Sequence, residues 1–167
     1  LVQAMVSRGY TYVATDSAYR TINPKDVRKL LGLFAENHVG NAQTRNPSLR
    51  EMTKMALDFL STSKKGFFLM VEGSQIDWAA HDNKSDQLMI EMADFDDAIG
   101  EVARFAKKDS ETLVIVTADH ETGGYALNGG SLAEHKVDGA FTTKHHTATM
   151  VPLFAMGRGA ERFTGIH

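Results

Sequence analysis

Acidic and histidine side chains follow one of the most apolar stretches of this sequence. The run at residues 67–71 is followed by Glu72, and Asp77 and His81 come soon after it. Asp77 and His81 are four residues apart, so a helix here places both on one face, within reach of a single cation. A carboxylate oxygen and an imidazole nitrogen form a common zinc ligand set, and Glu72 offers an oxygen to a harder ion.

Two further groups of possible ligands lie beside other apolar runs. Asp119 and His120 follow LVIVTA, and His145 and His146 precede the last apolar run. Neighbouring residues on a regular strand point to opposite faces, so the backbone must leave the strand if Asp119 and His120 act together. The nearby Gly123-Gly124 pair permits such an irregular path.

Each group also has a purely structural explanation. Asp77 and His81 fit a solvated helix surface, the Asp119-His120 pair fits a loop cap, and the two later histidines fit an ordinary polar loop. Glu72 fits a cap of the next helix. The conjunction favours a metal site, because three groups lie near successive strand ends. With no cysteine in the chain, such a site must use His, Asp, Glu and water.

The pattern of apolar runs predicts the elements that carry these residues. Continuous rather than alternating apolarity indicates strands buried on both faces, as in parallel sheets. Helical periodicity separates several of the runs, and the Asn46-Pro47 pair is typical of a helix start. We predict an α/β fold with a mostly parallel β-sheet flanked by helices, with ligands at the carboxyl ends of its strands. The predicted strands are residues 12–14, 30–34, 67–71, 113–117 and 151–155.

Composition limits the class of protein. The 167 residues suffice for one domain, predicted over residues 1–167, and the formal charge of −3 gives no electrostatic reason to expect nucleic acid as a partner. No apolar run approaches the roughly 20 residues of a membrane helix. The sequence begins at Leu1 in what reads as the middle of a domain, so we expect a piece of a longer chain.

Three blocks, VEGSQIDWAAH, VTADHETGG and HHTATMVPLFAMGRG, resemble the signature motifs of alkaline phosphatase, the zinc-dependent phosphomonoesterase family. GYTYVAT, LLGLFA and PSLREMTKMALDFL are also similar to segments of that family. The likeness extends over essentially the whole chain, but over only the carboxyl-terminal part of the family's catalytic domain. It implies an alkaline-phosphatase-like fold that is incomplete because the amino-terminal part is absent.

The resemblance also implies a metal for each of these ligands. The matched residues are Asp77, His81 and His146 for a first zinc, Asp119 and His120 for a second zinc, and Glu72 for magnesium. His146 is preferred to His145 because the family's His-Thr pair lies at the same distance from the glycine that ends its strand, here Gly157. The complete enzyme is expected to hold two Zn²⁺ and one Mg²⁺ and to hydrolyse phosphate monoesters through a phosphoserine intermediate.

The family's nucleophilic serine lies upstream of the segment that this chain resembles. Ser7, Ser17 and Ser74 do not stand in the nucleophile's sequence context. We therefore expect no catalytic residue in this chain, partial or no metal occupancy, and no phosphatase turnover by the chain alone. The alternatives are another hydrolase or mutase of the superfamily (a phosphodiesterase, sulfatase or phosphomutase) or a non-catalytic metal-binding module.

The resemblance implies further properties of the parent protein. Trp78 occupies a position at which a lysine of the family contacts phosphate through water. We therefore expect an altered phosphate affinity or metal preference in the parent enzyme, and no loss of the reaction class; a ring that merely packs at the pocket rim is the alternative. The parent protein is expected to bind a phosphomonoester substrate, to form a homodimer, and to be periplasmic, secreted or extracellular. The fragment itself is expected to self-associate through exposed apolar surface.

Overall fold

Two units make up the chain in the computed structural model, which describes residues 1–166. The first is Leu1–Val71 and the second begins at Glu72. The single domain predicted over residues 1–167 stays a prediction. Its last residue, His167, lies outside the described residues. Across the described part of the chain, no helix combines the length and apolarity needed to span a membrane.

The first unit contains one short parallel ladder. Strand β1 (Thr11–Val13) pairs in parallel with strand β2 (Leu30–Gly32). Helix α1 (Val2–Val6) precedes β1 and helix α2 (Asp16–Arg20) follows it. Both strands lie within or next to the apolar runs that predicted them, which confirms the predicted positions.

Helix α3 (Leu49–Leu60) begins at a capping box and not at the predicted Asn46-Pro47 pair. The hydroxyl of Ser48 accepts a hydrogen bond from the backbone N–H of Glu51 at 3.2 Å, and the Glu51 carboxylate accepts one from the backbone N–H of Ser48 at 2.9 Å. This exchange satisfies two backbone donors that a helix start leaves without partners, so the helix begins two residues later than predicted. The buried residues of α3 are Leu49, Thr53 and Leu57.

The second unit starts with two helices. Helix α4 (Gln75–His81) is the helix that a shared face for Asp77 and His81 requires, and helix α5 (Ser85–Asp109) packs against it. Their contact is centred on Ala79, Ala80 and Leu88. Along α5, Met92 is 47% exposed while the adjacent Glu91 is buried. Glu91 tolerates this position because its carboxylate accepts a hydrogen bond from Gln87 at 2.8 Å.

Three antiparallel ladders complete the second unit. They are β3 (Leu113–Val116) with β8 (Phe154–Gly157), β4 (Glu121–Thr122) with β7 (His146–Thr147), and β5 (Ala126–Ser131) with β6 (Lys136–Ala140). A 3₁₀ helix (Ala160–Phe163) follows β8. Gly129 and Gly130 lie inside β5, so much of the glycine-rich segment after β3 belongs to a β-hairpin.

The prediction of a mostly parallel sheet is not supported by the ladders within residues 1–166. Of the four two-stranded ladders there, only β1–β2 is parallel. The last apolar run forms β8 three residues later than predicted, and it runs antiparallel to β3. Residues 67–71 are not a strand: the side chains alternate in burial, and Phe68 and Met70 are 87% and 75% exposed. The continuous apolarity of residues 67–71 predicted a strand buried on both faces, but only one face of this segment is covered.

Candidate metal centre

Helix α4 presents Asp77 and His81 one turn apart, as their spacing predicts. The Nε2 atom of His81 lies 3.4 Å from Oδ1 of Asp77. The other ring nitrogen of His81, Nδ1, lies 2.6 Å from the backbone carbonyl oxygen of Lys144. A carbonyl oxygen only accepts, so Nδ1 carries the proton and donates it. In the neutral ring, Nε2 is then the nitrogen with a free lone pair, and it faces Asp77.

Strand β7 brings His146 to the same point from another part of the chain. Its Nε2 atom lies 3.1 Å from Nε2 of His81 and 3.5 Å from Oδ1 of Asp77. Three potential ligand atoms thus form a triangle with edges of 3.1, 3.4 and 3.5 Å. Ligand atoms about 2.0–2.1 Å from a tetrahedral zinc ion lie about 3.3 Å apart, so the residues present fit zinc in both donor type and spacing.

Asp119 and His120 lie in the irregular backbone between β3 and β4. This confirms the prediction that the backbone leaves the strand before these two residues. Nε2 of His120 is 3.3 Å from Oδ2 of Asp119. The His120 ring stacks on that of His146, with centroids 3.5 Å apart and planes at 22°. Ligand atoms of Asp77, His120 and His146 all lie within 4.8 Å of one another. The two pairs of predicted ligands are therefore neighbours.

These five residues are referred to below as the histidine cluster. Its members are Asp77, His81, Asp119, His120 and His146. All of its side chains are half-buried or exposed, and Asp119 is the most accessible, at 87%. The cluster is therefore open to ions and small anions from solvent.

The ladder between β4 and β7 holds the cluster in register. Glu121 lies opposite Thr147 and Thr122 lies opposite His146. The carboxylate of Glu121 accepts hydrogen bonds from the hydroxyl of Thr147 and, at 2.8 Å, from the backbone N–H of Gly124. In VTADHETGG, the sequence pattern indicated roles for the histidine and the glycines. It gave no indication that Glu121 anchors the ladder.

Gly123 permits β4 to lie close to helix α4. Its φ is +89°, and a Cβ atom placed on it would lie 2.7 Å from Cδ1 of Phe141 and 3.1 Å from the backbone oxygen of Ala80. A side chain at this position would be strained by the backbone and would push the strand away from the helix. The close approach brings β4 next to the helix that carries Asp77.

Three other residues singled out in the sequence lie differently. Glu72 is exposed, and the described ligand cluster does not include it. Trp78 is 44% exposed on α4. The backbone oxygen of His145 accepts a hydrogen bond from the N–H of Gly123 at 3.0 Å. The structure therefore brings His146, and not His145, to Asp77 and His81.

A sequence model of the family described as "Alkaline phosphatase" matches residues 1–138. This chain belongs to the alkaline phosphatase family. Alkaline phosphatase 4 of Bacillus subtilis is 50% identical over 130 residues, which are 76% of this chain and 28% of that protein. The family predicted from the three motifs is confirmed, although the third motif lies beyond the matched residues.

Solved alkaline phosphatases share the fold. The enzyme from the Antarctic bacterium TAB5 is 38% identical, with a TM-score of 0.83 over 97% of this chain and 49% of its own. A TAB5 variant described as having Mg bound in the M3 site is 37% identical, with a TM-score of 0.82 and the same coverage. The chain thus spans less than a third of its curated relative and about half of these structures.

Proposed function

We propose that this chain is the metal-binding part of an alkaline phosphatase that hydrolyses phosphate monoesters. The triangle formed by Asp77, His81 and His146 is the observation that carries the proposal, because it unites three donors at zinc-like spacing. In this proposal these residues hold a first zinc, and Asp119 and His120 contribute to a second.

Glu72 is proposed as a ligand of a magnesium-type third site. An exposed carboxylate at the start of the second unit suits a hard cation that prefers oxygen ligands. The magnesium described in the M3 site of the TAB5 variant supports such a third site in this family. The remaining ligands of that site are proposed to lie outside this chain, as are those that complete the second zinc.

Divalent ions held in this way supply Lewis-acid chemistry to phosphoryl transfer. The chain's own contribution is to orient the donors. The Lys144 carbonyl holds the proton of His81 on Nδ1, and the β4–β7 ladder fixes where His146 stands relative to His120. Trp78, exposed beside Asp77 on α4, is proposed to border the phosphate pocket.

The route through a phosphoserine, with a serine supplied from outside this chain, is carried over from the family. We propose accordingly that the chain alone has no phosphatase turnover. Dimerisation of the parent protein, self-association of this chain and an exported location stay predictions from the resemblance. We propose partial occupancy, with one tight zinc in the chain alone, because the ligand set is complete only for the first zinc.

Zinc titration of the chain against a chromophoric chelator tests the first site. We expect one tight site, weakened more than about 100-fold in Asp77→Asn and His146→Ala, since even partners outside the ligand set contribute about 10–100-fold. His145→Ala is the matched control, because it removes a neighbouring imidazole and keeps the backbone oxygen that Gly123 uses. Equal losses in the two histidine variants, or no tight site, would contradict the assignment.

A second assay tests the proposed inactivity. The zinc-loaded chain is expected to leave p-nitrophenyl phosphate intact, because no nucleophilic serine is proposed within it. Zinc-dependent release of p-nitrophenol that disappears in Asp77→Asn would show that the chain is catalytic by itself. That result would leave the metal site in place and overturn the need for an external nucleophile.

A further inference from the structure

Thr122 contacts one member of each proposed zinc site. Its Oγ1 atom lies 2.6 Å from Oδ1 of Asp77, where it donates a hydrogen bond. The same oxygen lies 3.2 Å from Nδ1 of His120. Thr122 is half-buried on β4, opposite His146 in the ladder with β7. A single hydroxyl therefore joins helix α4 to the loop that carries Asp119 and His120.

The number of protons determines the direction of both hydrogen bonds. A threonine hydroxyl has one proton to donate and lone pairs to accept with. The ionised carboxylate of Asp77 only accepts, so the proton of Thr122 is directed to Asp77. The contact with His120 is then a hydrogen bond only if Nδ1 of His120 donates to Thr122.

This assignment sets the tautomer of His120. A neutral imidazole that keeps its proton on Nδ1 has its lone pair on Nε2. Nε2 of His120 is the atom that lies 3.3 Å from Asp119 Oδ2, on the side where the second zinc is proposed. The hydroxyl that orients Asp77 toward one site thus also exposes the ligand nitrogen of the other.

We propose that Thr122 is a positioning residue shared by the two metal sites, which orients the Asp77 carboxylate and selects Nε2 of His120 as the ligand atom. This inference rests on the proposed metal-binding function. It assigns to Thr122 no contact with metal or substrate. Removal of the hydroxyl is therefore expected to weaken zinc binding through Asp77 and to release the tautomer of His120 together.

The test compares Thr122→Val with Thr122→Ser in the same chain. Valine keeps the β-branched shape that suits a strand and removes the hydroxyl, whereas serine restores the hydroxyl. We expect Thr122→Val to lower zinc affinity by about 10–100-fold, and Thr122→Ser to stay near the wild-type value. Thr142→Val is the matched control, because the Thr142 hydroxyl donates to the backbone of Gly124 and touches no member of the histidine cluster.

Nitrogen-15 NMR of the metal-free protein supplies a readout that a general loss of stability does not mimic. His120 is expected to hold its proton on Nδ1 in the wild type and in Thr122→Ser, and to shift toward the Nε2-protonated form in Thr122→Val. An unchanged tautomer together with unchanged zinc affinity in Thr122→Val would overturn this inference alone. Absence of a zinc site in the wild-type chain would overturn the proposed function, and this inference with it.

Discussion

The first unit has its own polar group, the Arg20 cluster of Asp16, Arg20, Ser48 and Glu51, which contrasts with the histidine cluster of the second. In the Arg20 cluster, opposite charges meet directly. The Arg20 guanidinium lies 2.8 Å from an Asp16 oxygen and 2.9 Å from a Glu51 oxygen. The backbone N–H of Ser48 donates to the other Glu51 oxygen at 2.9 Å. Each charged side chain of this cluster meets an opposite charge within the chain, and Oδ1 of Asp16 is its one buried oxygen without a hydrogen-bond partner among the described residues.

The pKa values of the Arg20 cluster reflect this match. The hydrogen bond from the Ser48 backbone is the main reason that the pKa of Glu51 is below its usual range. The hydrogen bonds to Asp16 and then to Glu51 raise the pKa of Arg20. Both charged forms are favoured by neighbours that belong to the chain.

The histidine cluster has more acceptors than donors. With Nε2 of His81 held as an acceptor, one proton from His146 is the most that can join these two rings. Asp77 Oδ1 lies 3.4 and 3.5 Å from the same two nitrogens. A divalent cation would contact all three atoms at once. The difference teaches that the Arg20 cluster supplies its own countercharges, whereas the donor atoms of the histidine cluster would need a cation to bring them together.

The largest expected effect is therefore a stabilisation by zinc that involves only the histidine cluster. Zinc at about 100 times its dissociation constant should raise the free energy of unfolding by about 2.7 kcal/mol. Urea unfolding monitored with and without zinc measures this increment. Asp77→Asn should abolish it and Ser48→Ala should leave it unchanged. A similar increment in Asp77→Asn would show that zinc binds elsewhere and would remove the contrast between the clusters.

A smaller, metal-independent effect is expected in the first unit. Ser48→Ala removes the N-cap hydroxyl of α3 and should lower the free energy of unfolding by about 1 kcal/mol. Ser61→Ala, at the other end of the same helix, is the control; its exposed hydroxyl makes only a 3.3 Å bond to Asp58 O, so a change within about 0.5 kcal/mol is expected. Equal losses in both variants would show that the capping box does not hold α3.

The smallest effect is a pH dependence that resides in Glu51. Because the folded-state pKa of Glu51 is lowered from 4.5, its contribution is present above that value and is lost as pH falls through the lower folded value. Zinc-free unfolding curves of the wild type and Glu51→Gln should therefore converge at acid pH. The side chain is 37% exposed, so solvent screening keeps the difference small. A constant gap between the two proteins at all pH values would contradict this origin.

Local patterns predicted those parts of the site that depend on short spacing. Asp77 and His81 share a face of α4 because an interval of four residues returns to the same side of any helix. Asp119 and His120 lie outside the strand, as expected because adjacent residues on a regular strand point to opposite faces. Local patterns did not predict which segments find packing partners. Residues 67–71 have the composition of a buried strand, yet Phe68 and Met70 are exposed.

By itself, the sequence determined the types of the candidate ligand residues, the helical pairing of Asp77 with His81 and the family to which the chain belongs. The tertiary structure decided the antiparallel ladders, the choice of His146 over His145 in space, and the hydroxyl of Thr122 between Asp77 and His120. These contacts join residues 45 and 65 positions apart. Periodicity carries information over one or two helical turns, whereas contacts across such intervals depend on how strands pair and how closely Gly123 lets β4 approach α4.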